Sequence, residues 1–345
     1  MHFSSARLTE ILGAFSRRKI LVIGDLMLDE FLWGKVTRIS PEAPVPIVDV
    51  QRRAAYLGGA ANVARTLASL GAPTGIAGVI GQDEPGQHLV RLLNEGGIAT
   101  GSVRATPLRP TTHKTRICAI TRQLHDHLDI EDQQQIVRVD DESRAPLDPE
   151  SKRWLFDRLR EEIRAHDAVI FSDYAKGLID QELVTLVINE ARAHGKIVAV
   201  DPNPNNPRDW SGATVLKPNR REAFLMAGLP YAQDEASVLA AGAVLQKKHT
   251  VQQVLITLSE AGMFLLEPGA KPYHTPTRAP DVSDVSGAGD TSIAAFTLAL
   301  AAGASGIEAA EIANHAAGVV VAKLGTATLS VEELREMFRK TGGTV

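Results

Sequence analysis

Short apolar runs alternate with stretches of helical periodicity along most of this chain. Runs such as Ala168–Ser172 and Gln253–Thr257 have the length and composition of buried strands. Gln181–Ala193 places apolar residues at helical spacing and is followed by Gly195, a natural helix stop. The same patterns predict strands at residues 19–23, 75–80, 197–200 and 214–216, and helices at residues 62–70, 88–95, 151–165, 288–302, 307–323 and after Ser330. This alternation predicts an α/β fold with a mainly parallel sheet and helices on both faces.

Two stretches interrupt the alternation. Residues 31–56 contain three prolines and a short β-like run, and residues 111–140 contain two more such runs. They predict a small β-sheet that stands off the main domain as a lid, with long surface loops as the alternative. A length of 345 residues permits two domains or one large domain with an appendage. We expect a single domain over residues 1–345 that carries the lid.

Composition and charge narrow the function classes. Lys and Arg number 37 against 41 Asp and Glu, so the net charge of −4 lacks the basic surplus of a nucleic-acid binder. The single cysteine, Cys118, cannot form an intrachain disulfide or a zinc site with two cysteines. The most apolar run, residues 293–302, is too short for a membrane span of ~20 residues. We therefore expect a cytoplasmic enzyme with neither nucleic acid nor membrane as a partner.

Polar residues follow several of the predicted strands. They are Asp25 with Asp29 after it, Asp173, Asp201, Lys217, Asn219 and Thr257. One such aspartate could simply cap the next helix. Because the carboxyl ends of parallel strands form one rim of the sheet, the whole set predicts a ligand cleft there.

The segment DVSGAGD, residues 284–290, leads into an Ala-rich helix. Gly287 and Gly289 allow a tight turn and close approach to a ligand, and amides at a helix start attract phosphate. Asp290 in the first turn could accept a proton from an acceptor hydroxyl during phosphoryl transfer. A glycine-rich turn with an aspartate at the helix start is the alternative. P-loop and GxGxxG phosphate-binding motifs are absent from the sequence.

The segment at residues 284–290 resembles the second signature of the ribokinase-like (pfkB) sugar kinases. GGAANVA at residues 58–64, preceded by Asp25 and Asp29, is similar to the first signature, and NRRE at residues 219–222 matches the N-x-x-E element. The motifs occur in the family's order and cover nearly the whole chain. The resemblance implies a ribokinase-like three-layer α/β/α sandwich with a small β lid, and a kinase that uses ATP and Mg²⁺.

Three further segments resemble one subgroup of that family. Residues 38–46, 172–177 and 318–326 are similar to the kinases that phosphorylate D-glycero-β-D-manno-heptose 7-phosphate at O1. The resemblance implies formation of the 1,7-bisphosphate for ADP-heptose and lipopolysaccharide core synthesis. Such kinases occur alone or fused to a nucleotidyltransferase. Because the chain ends at Val345, we expect a kinase without a nucleotidyltransferase domain, linked in function to a separate one.

The resemblance also implies roles at the nucleotide end. Asp290 would be the general base, and Gly287, Ala288 and Gly289 would supply amides to the phosphoryl group. Asn219 and Glu222 would organise Mg²⁺ through its waters, although an N-cap with a reciprocal glutamate explains the same spacing. Thr257, Ser259, Glu260 and Gly262 would form the nucleotide-phosphate loop, and Asn314 and Gly318 would line the adenine site. A monovalent cation such as K⁺ would lie near Asp284, Ser286 and residues 322–326.

At the sugar end, the implied residues divide into two groups. Asp25, Asp29, Gly58, Gly59, Asn62 and Asp173 would form the sugar site. Arg38, Lys114, Arg116 and Lys176 are candidates for the substrate phosphate, since arginine offers a bidentate fork and lysine a point charge. Arg38 and Lys176 rank first because they lie in the subgroup-like segments, although each cation taken alone is better explained as a surface or lid residue.

Two departures from the family pattern concern Ser286 and residues 124–132. Ser286 stands where the family usually has threonine, and both residues carry a hydroxyl. Residues 124–132 resemble an insertion in the second lid ribbon, in which His125 and His127 have a metal-like spacing that a solvated acidic loop explains better. Unpaired edges of the lid strands predict a homodimer through the lid.

Other functions remain open on the sequence alone. A different pfkB kinase could act on ribose, fructose, a fructose phosphate or a nucleoside. A nucleotide- or sugar-phosphate-binding module without catalysis is disfavoured by Asp290, since a pure binder needs no base. A scaffolding partner of a separate nucleotidyltransferase is a further alternative.

Overall fold

The computed structural model describes residues 4–125, 128–279, 283–323, 325 and 327–341, and it gives no side-chain detail for residues 121–132. The strands are β1 (Ile20–Gly24), β2 (Leu26–Ile39), β3 (Pro46–Gly59), β4 (Thr74–Gly81), β5 (Ala99–Thr106), β6 (Thr112–His125), β7 (Leu128–Asp141), β8 (Ala168–Ser172), β9 (Ile197–Asp201), β10 (Val215–Leu216), β11 (Gln253–Thr257), β12 (Met263–Leu266) and β13 (Tyr273–Thr275). The helices are α1 (Ser5–Ala14), α2 (Ala60–Ser69), α3 (Glu84–Glu95), α4 (Pro149–Ala165), α5 (Gln181–Ala193), α6 (Arg220–Ala227), α7 (Glu235–His249), α8 (Ala288–Ala301), α9 (Gly306–Val321) and α10 (Val331–Lys340).

A nine-stranded sheet forms the centre, in the order β13-β12-β11-β10-β9-β8-β1-β4-β5. Its strands pair in parallel except for the antiparallel pairs β11–β12 and β12–β13. Along β1 the side chains alternate between two apolar clusters, because successive residues of a strand point to opposite faces. Ile20 and Val22 join the cluster of α1, α2, α3, α8, α9 and α10, and Leu21 and Ile23 join that of α4, α5, α6 and α7. The result is three layers, with the sheet between two sets of helices.

A second sheet contains four strands in the order β3-β2-β6-β7, and the chain connects it to the first sheet. The chain leaves β1 at Gly24, enters β2 at Leu26 and returns through Gly59 directly into α2. Asp29 therefore lies within a strand of this small sheet. The strands β6 and β7 pair from His113 to His125, so residues 124–125 and 128–132 belong to this ribbon. His127 lies outside the described residues.

Several elements differ from the predicted ones. The helix predicted at residues 88–95 begins at Glu84, because Asp83 caps it by accepting from Gly86 N and Pro85 occupies its first turn. The elements α1, α6, α7, β5, β12 and β13 were not predicted. None of the described helices combines the length and apolar character needed to span a bilayer.

Candidate active site

A cavity of about 250 Å³ opens at the carboxyl ends of β8 to β11, beside the start of α8. Its wall is formed by Asp173, Tyr174, Asp201, Pro202, Asn203, Lys217, Asn219, Glu222, Thr257, Gly287, Gly289 and Asp290. Residues from four strand ends thus meet the first turn of one helix. The cleft expected at this rim and the glycine-rich helix start lie at the same place.

The start of α8 has the backbone conformation that its glycines permit. Gly287 has φ +80°, in the left-handed region, and a Cβ there would lie 3.0 Å from Asn62 Nδ2. The Ala288 amide donates to the Val285 carbonyl at 3.3 Å, which closes a tight turn ahead of the helix. Amides of a first helical turn have no carbonyl partner within the helix and favour an anion.

Asp290 is buried and receives two neutral hydrogen bonds. Asn62 Nδ2 donates to Oδ2 and the Tyr174 hydroxyl donates to Oδ1, both at 2.7 Å. Burial raises the pKa of Asp290 to about 6, and the Asp201 charge adds to the rise. The bonds from Asn62 and Tyr174 and the charge of Lys217 act in the opposite direction. The carboxyl is therefore ionised at neutral pH and can accept a proton.

Arg65 fixes the orientation of Asn62. It donates from Nη2 to Asn62 Oδ1 at 2.8 Å, which leaves Nδ2 facing Asp290. This residue was not predicted from the sequence. The available signal was its spacing, because residues three apart on α2 share one face of the helix.

Asp25 is held by the loop that follows β8. Its Oδ2 accepts from the amides of Tyr174 at 2.9 Å and Lys176 at 3.1 Å, and burial raises its pKa. In the same loop Asp173 accepts from Asn206 Nδ2 at 2.8 Å. Burial, followed by the nearby charge of Asp25, raises the pKa of Asp173 to about 7. The loop thus holds two carboxyl groups, of which Asp173 lines the cavity.

Gly58 and Gly59 explain why β2 and β3 can approach so closely. A Cβ at Gly58 would collide with the carboxylate of Asp29, and one at Gly59 would collide with Met27. Gly59 also has φ +55°, where the strand turns into α2. The two glycines make room for Asp29, and Arg116 Nη1 donates to that carboxylate at 2.5 Å.

Lys114 and Lys176 share one carboxylate oxygen, Glu142 Oε2. The distances are 3.2 Å from Lys114 Nζ and 2.7 Å from Lys176 Nζ. Burial opposes ionisation of Glu142, but the hydrogen bonds from Lys176 and Lys114 hold its pKa at about 2. Arg116 follows two residues after Lys114 on β6, on the same face, which also carries Asp29. We call Lys114, Arg116 and Lys176 the cation cluster. Asp140 Oδ2 also pairs with Lys114 Nζ, at 3.0 Å, and neither Glu142 nor Asp140 was predicted.

Arg38 is not part of the cation cluster. It is exposed on β2, nine residues beyond Asp29, a distance of roughly 30 Å along a strand. In the part of the chain that the structure describes, it forms no ion pair. A protomer therefore brings together three of the four cations predicted for the substrate phosphate.

Asn219 and Glu222 form a capping box at the start of α6. The Asn219 side chain accepts from Glu222 N at 2.9 Å, and Glu222 Oε2 accepts from Asn219 N at 2.8 Å. The helix-cap explanation of the N-x-x-E spacing is thus present. Both side chains also line the cavity, where Glu222 keeps a second carboxylate oxygen. The two explanations are compatible.

Magnesium would fit this wall in a partly hydrated form. Within the described residues, no cluster of three or more His, Cys, Asp or Glu could enclose a metal. Mg²⁺ usually takes one or two carboxylates and keeps waters and phosphate oxygens as its other ligands. Glu222 and Asp201 supply carboxylates to the cavity at this point, so the donor set suits such an ion.

Lys217 and Asp201 form a buried pair in the cavity wall. Lys217 is only 2% exposed, and its Nζ lies 3.0 Å from Asp201 Oδ1. Burial raises the pKa of Asp201 to about 6, which the charge of Lys217 partly offsets. A Cβ at Gly289 would lie 3.8 Å from Lys217 Nζ, so this cation reaches the start of α8. Neither residue had a predicted role, although both follow predicted strands.

The remaining nucleotide-site predictions have mixed placements. Thr257 lines the cavity, whereas Ser259 and Glu260 lie in a tight 3₁₀ turn that Gly262 ends with φ +86°. Asn314 Nδ2 donates to Thr275 Oγ1 at 2.9 Å and to the Pro276 carbonyl at 2.6 Å. A Cβ at Gly318 would meet Met337 and residues 278–279 within 3.3 Å. Asn314 and Gly318 thus hold the segment after β13 and do not line the cavity.

Asp284 joins the segment ahead of α8 to the turn that follows α9. Its Oδ1 accepts from Ser286 N at 2.8 Å and its Oδ2 from Gly325 N at 3.1 Å. The stretches predicted to surround a monovalent cation therefore meet here. Leu324 and Thr326 lie outside the described residues.

Sequence comparison finds one family and a group of close relatives. The model of the pfkB family of carbohydrate kinases matches residues 17–334. The chain is 44% identical over 314 residues to a protein named bifunctional protein HldE from Pelobacter propionicus, covering 91% of this chain and 62% of the relative. The protein of the same name from Helicobacter pylori is 43% identical over 324 residues, which cover 94% of this chain and 67% of that relative. The chain thus spans about two thirds of the length of these relatives.

Solved structures share the fold at low sequence identity. Ribokinase from Arabidopsis thaliana, complexed with ribose and ATP, has a TM-score of 0.72 and 21% identity and covers 93% of this chain and 99% of its own. Phosphofructokinase-2 from Escherichia coli with substrates and products has a TM-score of 0.72 and 19% identity, covering 94% and 99%. The same enzyme with potassium has a TM-score of 0.70, also at 19% identity, covering 94% and 99%. The predicted ribokinase-like α/β fold is confirmed.

Proposed function

This chain belongs to the pfkB family of carbohydrate kinases, and we propose that it transfers a phosphoryl group from ATP to O1 of D-glycero-β-D-manno-heptose 7-phosphate. The family assignment makes the protein a sugar kinase that uses ATP and a divalent cation. The heptose phosphate is the proposed substrate because segments 38–46, 172–177 and 318–326 resemble that subgroup. The relatives named HldE support the same choice.

The observation that carries the proposal is a buried base at one end of the site and a cluster of three cations at the other. Asp290 faces the cavity at the start of α8, and Lys114 and Lys176 meet at the carboxylate of Glu142, with Lys114 also paired to Asp140. A sugar without a phosphate has no anionic group for three clustered cations to bind. A phosphorylated sugar could displace Glu142 and take both cations. The loop of residues 173–177 joins the two ends through its amides on Asp25.

In the proposed reaction, Asp290 accepts the proton of the anomeric hydroxyl as the oxygen bonds to the phosphorus and the bond to the leaving ADP breaks. Amides at the start of α8 and the Lys217 ammonium stabilise charge on the phosphoryl oxygens. Asp25 and Asp29 accept from sugar hydroxyls, and the cation cluster holds the 7-phosphate. Mg²⁺, held through water by Asn219 and Glu222, would neutralise charge on the nucleotide phosphates.

We infer further that residues 1–345 form one kinase domain in which the small sheet acts as a lid and as the contact between two copies. Exposed apolar side chains support the homodimer, since the small sheet leaves Ile39, Val45, Val137 and Val139 between 46% and 61% exposed. A second copy would cover them. Light scattering at micromolar protein should report twice the mass of one chain, and a monomer would contradict the dimer.

Three smaller proposals accompany this function. The junction of Asp284 and Gly325 would take a monovalent cation, and replacing K⁺ by choline should then lower kcat.

The product would pass to a nucleotidyltransferase, in line with the name bifunctional carried by the relatives. Because ATP and the sugar phosphate are metabolites of the cytoplasm, we place the reaction there.

A substrate panel tests the proposal directly. ATP consumption is measured with D-glycero-β-D-manno-heptose 7-phosphate, fructose 6-phosphate and ribose at matched concentrations. The proposal expects the highest kcat/KM for the heptose phosphate and the lowest for ribose. Faster turnover of ribose would show that the cation cluster does not select phosphorylated sugars, and the substrate assignment would then be wrong.

A further inference from the structure

Tyr174 connects the two carboxylates on which the proposed reaction depends. Its backbone amide donates to Asp25 Oδ2 at 2.9 Å, and its hydroxyl donates to Asp290 Oδ1 at 2.7 Å. The side chain forms part of the cavity wall. We propose that Tyr174 is a positioning residue whose hydroxyl holds the Asp290 carboxylate ionised and in a fixed orientation for the sugar hydroxyl. The inference rests on the proposed function, because that function assigns Asp290 as the base.

The tyrosine can act only as a donor in this place. Burial raises the pKa of Tyr174 well above its ordinary value, and the charges of Asp290 and Asp201 raise it further. The phenol therefore keeps its proton throughout the range in which a kinase works. A protonated phenol beside a buried carboxylate stabilises the ionised form of that carboxylate.

The hydrogen bond from Tyr174 matters because the charges near Asp290 act on its ionisation in opposite directions. Asp201 on β9 opposes ionisation of Asp290, whereas Lys217 beyond β10 favours it. Arg65 on α2 also interacts with Asp290 and contacts it through Asn62. Among the described residues, Asn62 and Tyr174 donate directly to the carboxylate. Each bond offsets part of the rise in pKa that burial causes, so loss of either bond should raise the pKa of Asp290.

The loop that carries Tyr174 is fixed independently of its hydroxyl. Asp173 Oδ1 accepts from Ala175 N at 2.8 Å, and Ala175 has φ +56°, an uncommon conformation for a residue other than glycine. Lys176 N donates to Asp25 at 3.1 Å. Tyr174→Phe should therefore keep the loop and its bonds to Asp25 and remove only the bond to Asp290.

The first test is the dependence of kcat on pH for wild type and Tyr174→Phe. Activity requires ionised Asp290, so it falls as the pH drops through the pKa of that group. Because a hydrogen bond to a charged group is removed, the acid limb should move upward by roughly one pH unit. The KM for the sugar should stay within about twofold, since Asp25 keeps its amide donors. Recovery of kcat at higher pH to within a few-fold is also expected.

A matched control separates this effect from a general cost of losing a phenol. Tyr231→Phe removes an exposed hydroxyl from a ring that packs edge-on against Phe224. Its pH profile should superimpose on that of wild type. If the Tyr174→Phe profile superimposed as well, the positioning role would be overturned.

A second measurement needs no substrate. The carboxyl carbon of Asp290 can be followed by NMR in protein labelled with ¹³C-aspartate and assigned by its loss in Asp290→Asn. Its pKa should be higher in Tyr174→Phe than in wild type, and an equal pKa would contradict the proposal. If no sugar were phosphorylated, the proposed function would fail while this titration still decided the role of Tyr174.

Should Tyr174→Phe not fold, the same coupling can be measured from the other side. The charge of Asp290 raises the pKa of Tyr174. In Asp290→Asn, tyrosine absorbance followed against pH should therefore show one phenol that ionises at lower pH than in wild type. Identical tyrosine titrations in the two proteins would overturn the inference.

Discussion

At one end of the proposed site the Asp290 carboxylate is buried and held by neutral donors. At the other end charged partners hold the lysines: Glu142 contacts both Lys114 and Lys176, and Asp140 also contacts Lys114. Neutral donors can remain in place while a substrate binds, so the Asp290 end is already arranged for reaction. A carboxylate that pairs two lysines must give way before a phosphate can take them. The Asp290 end is arranged for proton transfer, whereas at the lysine end a carboxylate is exchanged for the substrate phosphate.

The two ends also differ in the elements that carry them. Asn62 and Asp290 belong to α2 and α8, which pack together in the apolar core although the residues are 228 positions apart. Lys114 lies on the small sheet and Glu142 directly after its last strand. Rigid packing sets the first geometry, whereas ion pairs at a partly open edge set the second. Substitutions should therefore affect kcat at one end and the KM for the sugar at the other.

The largest expected effect is that of Asp290→Asn. An amide cannot accept the hydroxyl proton, so kcat should fall by roughly 10³-fold, within the range of general-base catalysis. Binding of ATP should persist, because the amides at the start of α8 remain. Steady-state rates with calorimetric titration of ATP measure both quantities. Unchanged turnover would remove Asp290 as the base.

Lys176→Ala should come next, with an effect on a different constant. Loss of one charge-assisted contact to the sugar phosphate should raise the KM for the sugar phosphate by roughly 10- to 100-fold. The KM for ATP should change little, since Lys176 contacts Glu142 at the other end. Lys196→Ala, on the segment between α5 and β9, is the control for a lysine remote from the site. Equal changes in both KM values would contradict the division between the ends.

The Asp290 end should also set the acid limit of activity. With a pKa of about 6, Asp290 is mostly ionised at pH 7 and mostly protonated at pH 5. Because the ionised form is the base, kcat should fall by about tenfold between these values as the pH drops. Glu142 has a pKa of about 2 and stays ionised throughout, so the cation end should not contribute to this limb. Asp173 and Asp201 also titrate in this range. Rate measurements with saturating sugar remove effects on sugar binding, and a flat kcat from pH 7 to pH 5 would contradict the prediction.

The sequence predicted the Asp290 end better than the cation end for a physical reason. Gly287, Asp290 and Asn62 lie in short motifs whose local backbone conformation determines most of their geometry. Glu142 has no local motif, and its contact with Lys176 depends on where the small sheet meets a loop 34 residues later. The general fold followed from apolar periodicity, but α3 was placed too late because Pro85 and Gly86 resemble a break rather than a first turn.

Removal of the Glu142 charge should change the KM for the sugar phosphate less than Lys176→Ala does, and in the opposite direction. Glu142→Gln keeps the size of the side chain but removes the charge that Lys114 and Lys176 share, while Asp140 still pairs with Lys114. The sugar phosphate then has less to displace, so its KM should fall by a few-fold, with kcat unchanged. Asp157→Asn, on the exposed face of α4, is the matched acid-to-amide control. A higher KM in Glu142→Gln would show that Glu142 helps to hold the substrate.

The smallest effect is expected from Arg38→Ala, and it tests where the cation end stops. The sequence ranked Arg38 with Lys176, yet the structure leaves it exposed about 30 Å along β2 from Asp29. If recognition of the phosphate takes place within one protomer, the KM for the sugar phosphate should stay within about twofold of wild type. An increase that matches Lys176→Ala would mean that Arg38 reaches a site in another copy of the chain. In that case mixing inactive Asp290→Asn with Arg38→Ala protein should restore sugar affinity, because a mixed dimer would place an intact Arg38 beside an intact base.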